Sequence, residues 1–368
     1  MNHKPKHIAL LTMYYDNNYG GNLQRYALVT ILKNLGCEVT CLYIRQNWSH
    51  HGLKYWIRNS IKQSIKHYLL QRRNETICLW KEENEIYIQQ TSLTEPFYDR
   101  YIPHTDVLYG DWWLKRYAKK NRFDAYIVGS DQVWRKLYVQ RFGLGTWFLD
   151  FLPDKYTGKR IAYGASFGVS EPEYAIEEQN LIRPLFNKFD SVSVREQSGI
   201  DLLKQYGWTS PEASCVLDPT LLMKSEDYNQ LIENADTKPL EGKLLCYILD
   251  MDVEKAQIIN QKSNERNLSP TILSSGKDAT ASVEQWLRSF RDAEFVITDS
   301  YHGLLFSLIF HKSYQLIVNQ SRGASRFESV EHQLNFHINE PMDWDKLDKQ
   351  LEVVRNQSIQ FLKSALEE

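Results

Sequence analysis

At 368 residues the chain is long enough for two domains of ordinary size, each with its own core. With 42% hydrophobic and 24% charged residues it has the composition of a soluble globular protein, and a formal charge of −2 argues against a dedicated nucleic-acid binder. No run approaches the roughly 18–20 apolar residues of a membrane span. The five cysteines, Cys37, Cys41, Cys78, Cys215 and Cys246, form no CxxC pair, so a reducing cytoplasm fits better than a disulfide framework or a structural zinc. The first residues, MNHKPKHIALLTMYY, read as a strand and not as a signal peptide, because 14–18 is polar and no small-residue cleavage site follows. Ten Trp and twenty-two Tyr are compatible with sugar stacking and equally with aromatic core filling.

His7–Met13 is the first expected strand, and it ends in a polar, glycine-containing turn over Tyr14–Gly21. Asn22–Leu35 follows as an amphipathic helix with Leu23, Tyr26, Ala27 and Ile31 on one side, Asn22 as N-cap and Gly36 as stop. A second strand at Val39–Ile44 completes a βαβ opening, which predicts a parallel sheet. From about 47 to 121 this rhythm breaks. Lys54–Arg73 sets Ile57, Ile61, Ile65 and Leu69 on one face against Lys54, Arg58, Lys62 and Lys66 on the other. Between Val39 and Asn74 there are seven Lys or Arg and no acid. Such a helix either lies on an anionic membrane surface or docks its apolar face on the domain and leaves the charges in water.

Four further strands each end in a polar rim. Ala125–Val128 runs into Gly129-Ser130-Asp131-Gln132, and Arg160–Ala165 into Ser166-Phe167-Gly168. Ser191–Val194 runs into Arg195-Glu196, and Val216–Leu217 into Asp218-Pro219-Thr220. A polar rim recurring at the carboxyl edge is how a doubly wound domain builds a ligand crevice. The polar stretch 224–242, with Pro239, is the linker candidate. A second α/β series follows through strands at Leu244–Leu249, Thr271–Leu273, 294–298 and Tyr314–Val318, and helices over Ser325–Leu334 and Trp344–Leu366 close it. The expected architecture is α/β, with two Rossmann-like domains facing across a cleft. The first spans 1–223 with a helical insert at about 47–121, and the second spans 243–368.

The sharpest signal is Glu294–Phe310, an apolar strand that stops at Thr298-Asp299-Ser300 and restarts as a helix after Tyr301-His302-Gly303. Ser300 and Gly303 stand at a helix amino terminus, where free N–H groups and a partial positive charge favour an anion. His302 has a pKa range suited to protonating or deprotonating a reacting group; the alternative is a histidine that caps the helix. Arg195 can grip a carboxylate or phosphate with two hydrogen bonds, or else pair with Glu196 or another local acid. Asp131 is a base or hydroxyl-orienting candidate with a turn-forming alternative. Asp218 leans towards a structural turn, and Asp299 towards a cap or a partner for His302. Ser130 and Ser166 belong to the same rim. Gly20-Gly21-Asn22 before a helix resembles a phosphate-cradling turn, but without GxGxxG or GxxxxGK[ST] spacing it supports neither dinucleotide nor P-loop chemistry. Arg322 and Arg326 are candidates to complete an anion site. No HExxH is present, and no metal or cofactor is expected. Unaided, the residues describe an α/β enzyme with a cationic cleft for a phosphorylated or carboxylated substrate.

Seven short pieces in order and spacing resemble the polysaccharide pyruvyl transferase family: Gly21-Asn22-Leu23-Gln24 with Tyr26-Ala27-Leu28, Asp124–Trp134, Tyr163–Gly168, Ser193–Gly199, Leu217–Leu221, Thr298–Gly303 and Ser325-Arg326. They span roughly residues 7–335, leaving the insert and the last helix uncovered, and Tyr301 stands where Phe is common in that family. The resemblance implies a GT-B-like fold. It also implies transfer of the enolpyruvyl group of phosphoenolpyruvate to two hydroxyls of a sugar, in bacterial-type surface polysaccharide biosynthesis. On that reading His302, Arg195 and Asp131 are catalytic. Arg326, Ser300, Gly303, Ser130, Gly21, Asn22 and Ser166 bind substrate, and phosphoenolpyruvate is a donor substrate and not a cofactor. The partners are then phosphoenolpyruvate and a glycan acceptor, free or lipid-linked, with contact of 54–73 to the inner face of the membrane in the second case. Two other classes stay open: a nucleotide-sugar glycosyltransferase of the same fold, and a non-catalytic glycan-binding relative.

Overall fold

The computed structural model describes residues 4–45, 57–58, 60–62, 64–65, 87–140, 142–275, 279–318 and 325–367. Two parallel sheets organise the chain. The first contains β1 (Lys6–Leu11), β2 (Cys37–Cys41), β5 (Ala125–Val128), β6 (Lys159–Ala165), β7 (Ser191–Val194) and β8 (Ala213–Cys215), in the order β2-β1-β5-β6-β7-β8. Two short strands between them, β3 (Ile44–Arg45) and β4 (Leu108–Tyr109), pair with each other. The second sheet contains β9 (Lys243–Tyr247), β10 (Ser269–Leu273), β11 (Phe295–Thr298) and β12 (Ser313–Leu316), in the order β10-β9-β11-β12. β5 and β11 are buried at every residue, as expected of strands covered on both faces.

Each sheet reverses its winding once, between β1 and β5 in the first and between β9 and β11 in the second. In open α/β sheets such a switch point opens a crevice at the carboxyl ends of the strands. The two crevices meet. One apolar core runs from Ile8, Leu23 and Leu28 through Tyr19 to Leu245, Trp286 and Phe306, so the halves share a packed seam. Tyr19 stacks on Trp286 (centroids 5.7 Å apart, planes at 18°), and its hydroxyl donates to the Ala281 carbonyl at 2.8 Å.

Three local readings differ from the sequence expectation. The first helix runs over Tyr19–Asn34, and its N-cap is Asn18, whose side chain accepts the Gly21 N–H; Asn22 lies inside the helix. The last strand of the first sheet is Ala213–Cys215, because the Leu217 N–H is taken by Ser358 Oγ and Asp218 caps the 3-10 turn Pro219–Leu222. The stretch 224–242 contains the helix Ser225–Glu233, fitted by Tyr228, Leu231 and Ile232 into the shared core. The final helix, Trp344–Glu367, returns to the first half: Arg355 donates to the carbonyls of Leu221 and Met223, and Lys6 Nζ to that of Leu366.

Of the basic segment 54–73, only 57–58, 60–62 and 64–65 are among the described residues, all helical, and Ile57, Ile61 and Ile65 are exposed there. The rest of that segment, Cys78 and Arg322 lie outside the described residues. No helix among the described residues is long and apolar enough to cross a membrane. Trp286 is fully buried at the seam, so Trp286→Ala is expected to lower stability by about 3–5 kcal/mol, read from the urea midpoint. Both halves should still unfold in one transition.

Candidate active site

A cavity of about 340 Å³ lies where the two crevices meet. From the first half it is lined by Asp16, Gly21, Gln24, Arg25 and Asp131, and from the second by Ser300, Tyr301, His302 and Arg326. Beneath it sits the electrostatic centre of the molecule. Arg195, 1% exposed, donates from Nη1 to Asp218 Oδ2 at 2.6 Å and from Nη2 to Asp131 Oδ1 at 3.4 Å, with Glu196 Oε2 3.7 Å from its Nε. Asp218 Oδ1 accepts the N–H and hydroxyl of Thr220, at 3.0 and 2.7 Å. Glu196 Oε1 accepts from Ser166 Oγ and from the Phe167 and Gly168 N–H groups. Asp218 and Asp131 thus carry the cluster from the first half towards His302, whose Nε2 lies 3.7 Å from Asp218 Oδ2, beyond hydrogen-bond length. Nε2 has no hydrogen-bond partner among the described residues.

Arg195, expected from the sequence to grip a substrate anion, is not among the residues that line the cavity, and three carboxylates already surround its guanidinium. Its ring neighbour Tyr301 separates it from Arg326. The two guanidinium carbons lie 4.6 Å (Arg195) and 5.2 Å (Arg326) from the Tyr301 ring centroid, within cation–π range. Burial pushes the Arg326 guanidinium below its usual range, and Arg195 nearby adds to this. Burial works to raise the Asp218 carboxyl, but His302, Arg195 and the Thr220 N–H outweigh it and hold it well below the usual carboxylate range.

The remaining expected residues divide. Ser300 and Gly21 line the cavity. Ser300 is the N-cap of the Tyr301–Ile309 helix and its hydroxyl accepts the Gly303 N–H, so that donor is not available to a ligand. Gly303 answers to packing, since a methyl group there would overlap Thr298 Oγ1. Ser130 donates to the Gly164 carbonyl at 2.8 Å and Ser166 to Glu196 at 2.6 Å, and both are fully buried. Asn22 bonds the Asp16 and Asn18 carbonyls and shapes the loop. None of these three lines the cavity. Asp299 does not pair with His302; it accepts from the Leu249 N–H (2.7 Å) and Lys255 Nζ (2.8 Å), fixing the loop after β9.

Asp16, Gln24 and Arg25 were not expected from the sequence. Asp16 and Arg25 flank a turn and a helix start with no motif spacing, and Gln24 was quoted only as part of a family motif. Burial raises the half-buried Asp16 carboxyl to about 6, against the lowering effect of the Asn18 N–H and Arg25. Gly20 explains the glycine pair: a methyl group there would overlap the His302 imidazole. Among the described residues, no group of three or more His, Cys, Asp or Glu could hold a metal.

Asp218→Asn should cost about 3–5 kcal/mol, because it leaves a buried guanidinium partly uncompensated. The folded-state pKa of Asp218 is depressed, so its stabilisation is full above the unfolded value of about 3.9 and is lost as pH falls through the folded one. Urea midpoints should therefore differ most near neutrality and converge below about pH 4.

The sequence profile of the polysaccharide pyruvyl transferase family matches residues 18–313. No curated protein matches the chain by sequence. Among solved structures, UDP-N-acetylglucosamine 2-epimerase from Rickettsia bellii superposes with a TM-score of 0.50 at 8% identity, over 99% of this chain and 98% of that one. UDP-GlcNAc 2-epimerase from Neisseria meningitidis, bound to UDP-GlcNAc, gives 0.50 at 9% identity, over 98% and 94%. At such identities the likeness concerns the fold alone, the GT-B-like arrangement of two facing α/β domains. Motif order and profile together place the chain in the polysaccharide pyruvyl transferase family.

Proposed function

We propose that the cavity transfers the enolpyruvyl group of phosphoenolpyruvate to two hydroxyls of a sugar, forming a cyclic ketal and releasing phosphate, in surface polysaccharide biosynthesis. The observation that carries this reading is the meeting of His302 and Arg326 with Asp131 and Asp16 in one cavity built from both halves. Phosphoenolpyruvate brings a phosphate and a carboxylate, and an enol carbon that must gain a proton. His302 delivers that proton to the methylene carbon, making C2 electrophilic; a positioned acid of this kind contributes a typical 10²–10⁴-fold. The first sugar hydroxyl adds to C2 and loses its proton to a carboxylate of the cavity. The second hydroxyl then displaces phosphate from C2, and its proton leaves with the departing group. Arg326 balances the phosphate charge. Arg195 acts one layer below, as the counter-ion that keeps Asp218 ionised and holds Asp131 in place.

Asp16 is better suited than Asp131 to accept the hydroxyl proton. Its carboxyl sits near 6, close to where a base is both unprotonated and strong enough at neutral pH, whereas Asp131 is engaged with Arg195. Phosphate release should require both phosphoenolpyruvate and a glycan acceptor, and a screen of free and lipid-linked saccharides with labelled donor measures it. His302→Ala should reduce that release by about 10²-fold or more; near-normal turnover would remove His302 from the chemistry. The rate should rise with pH through about 6 as Asp16 deprotonates, and Asp16→Asn should lose that acidic limb along with most of the rate.

A further inference from the structure

Two neighbouring side chains of the Tyr19–Asn34 helix, Gln24 and Arg25, line the cavity and have no role in the chemistry above. Arg25 is 3% exposed. Its Nε donates to Thr12 Oγ1 at 2.7 Å, its Nη1 to Asn22 Oδ1 at 3.1 Å and its Nη2 to the Met13 carbonyl at 2.9 Å. The Tyr98 ring stands 5.3 Å from its guanidinium carbon. A guanidinium has five N–H donors, so these acceptors fix its plane and leave one N–H on each terminal nitrogen. All three acceptors are neutral, and no carboxylate pairs with Arg25 among the described residues. Arg195 has three such partners. A buried cation whose direct partners are all neutral is costly unless a ligand supplies the opposite charge at close range; Asp16 acts on it only from beyond ion-pair distance.

Gln24 gives a second, independent indication. It is fully buried, and neither Oε1 nor Nε2 has a hydrogen-bond partner among the described residues. A buried amide left unsatisfied is destabilising, because it has given up its water partners without replacing them. Gln24 leaves both of its amide atoms unpaired, and it sits beside a cation with no directly paired carboxylate at the cavity wall.

We propose that Gln24 and Arg25 form the subsite for the carboxylate of the donor, across the cavity from Arg326. The inference rests on the phosphoenolpyruvate reading and adds to it the placement of the donor's two anionic ends. A planar carboxylate can take one N–H from Arg25 and one from the Gln24 amide. Asp16 shares this wall and interacts electrostatically with both Arg25 and Asp131. Two in-plane donors match a planar carboxylate, whereas a tetrahedral phosphate dianion would set a second negative charge against the Asp16 carboxylate that lines the same cavity. The phosphate falls to the His302 and Arg326 side.

Calorimetric titration of the full chain with phosphoenolpyruvate and, separately, with inorganic phosphate tests this placement without turnover. Gln24→Leu and Arg25→Lys should each weaken phosphoenolpyruvate binding by about tenfold or more. Both should leave the affinity for inorganic phosphate within about twofold, and Arg326→Gln should weaken both ligands. Thermal midpoints report whether the variants fold, and Gln24→Leu, close to isosteric and apolar, carries the test if Arg25→Lys does not. Unchanged phosphoenolpyruvate affinity in both variants overturns the subsite and leaves the proposed reaction standing. Equal loss of both ligands assigns the wall to phosphate and likewise overturns it. A wild-type protein that binds no phosphoenolpyruvate overturns the reaction and the subsite together.

Discussion

A buried guanidinium ringed by three carboxylates is the constraint around which the rest of the site is arranged. Arg195 follows directly on β7, and Asp131 and Asp218 lie in the turns just after β5 and β8, so one cation ties together three strand ends of the first sheet. Removing such a charge from water is expensive, and only close, hydrogen-bonded acceptors offset it. Here they are in excess. Three carboxylates against one guanidinium leave negative charge to be balanced, and Arg326 and, when protonated, His302 stand where they can balance it. The second half is thus held to the first by charge at the cavity floor and by the Tyr19–Trp286 stack at the seam.

Much of this was legible in the sequence. Largely apolar strands such as Ala125–Val128 and Phe295–Thr298 announce themselves by composition, and the polar turn that follows each one marks a carboxyl edge. That is enough to place Arg195, Asp131 and Asp218 on one rim and His302 at the carboxyl edge of the second sheet. It is not enough to say which of them faces a ligand. Whether an arginine grips a substrate or neutralises its neighbours depends on how many carboxylates converge on it, and those come from residues tens of positions apart. Arg195 shows the difficulty, and Ser130 and Ser166 repeat it: each hydroxyl is engaged by a group about thirty residues away.

Arg25 and Asp16 were hidden for the opposite reason. Arg25 reads as one more charged position on an amphipathic helix, and nothing local says that its face is turned inward to a cavity. Asp16 reads as a turn residue. Their significance comes from the shift of the helix start from Asn22 to Tyr19, which extends the first turn to bring Gly20 against the His302 ring. The glycine pair that looked like a phosphate cradle makes room for an imidazole from the other half.

The return of the last helix to the first half has a mechanical meaning. The chain passes between the halves at the stretch after Met223 and again before Trp344, and Arg355 and Ser358 fasten the second passage onto Leu221 and Leu217 beside the first. A joint with two adjacent strands of chain bends about one axis and resists twisting about any other. Opening the cavity would then be a hinge-like separation that parts Gly20 from His302 while the Arg195 cluster, built within a single half, stays assembled. Charge preorganisation within the first half would persist through each cycle of substrate exchange, and the contacts of His302 and Arg326 with it would have to be remade.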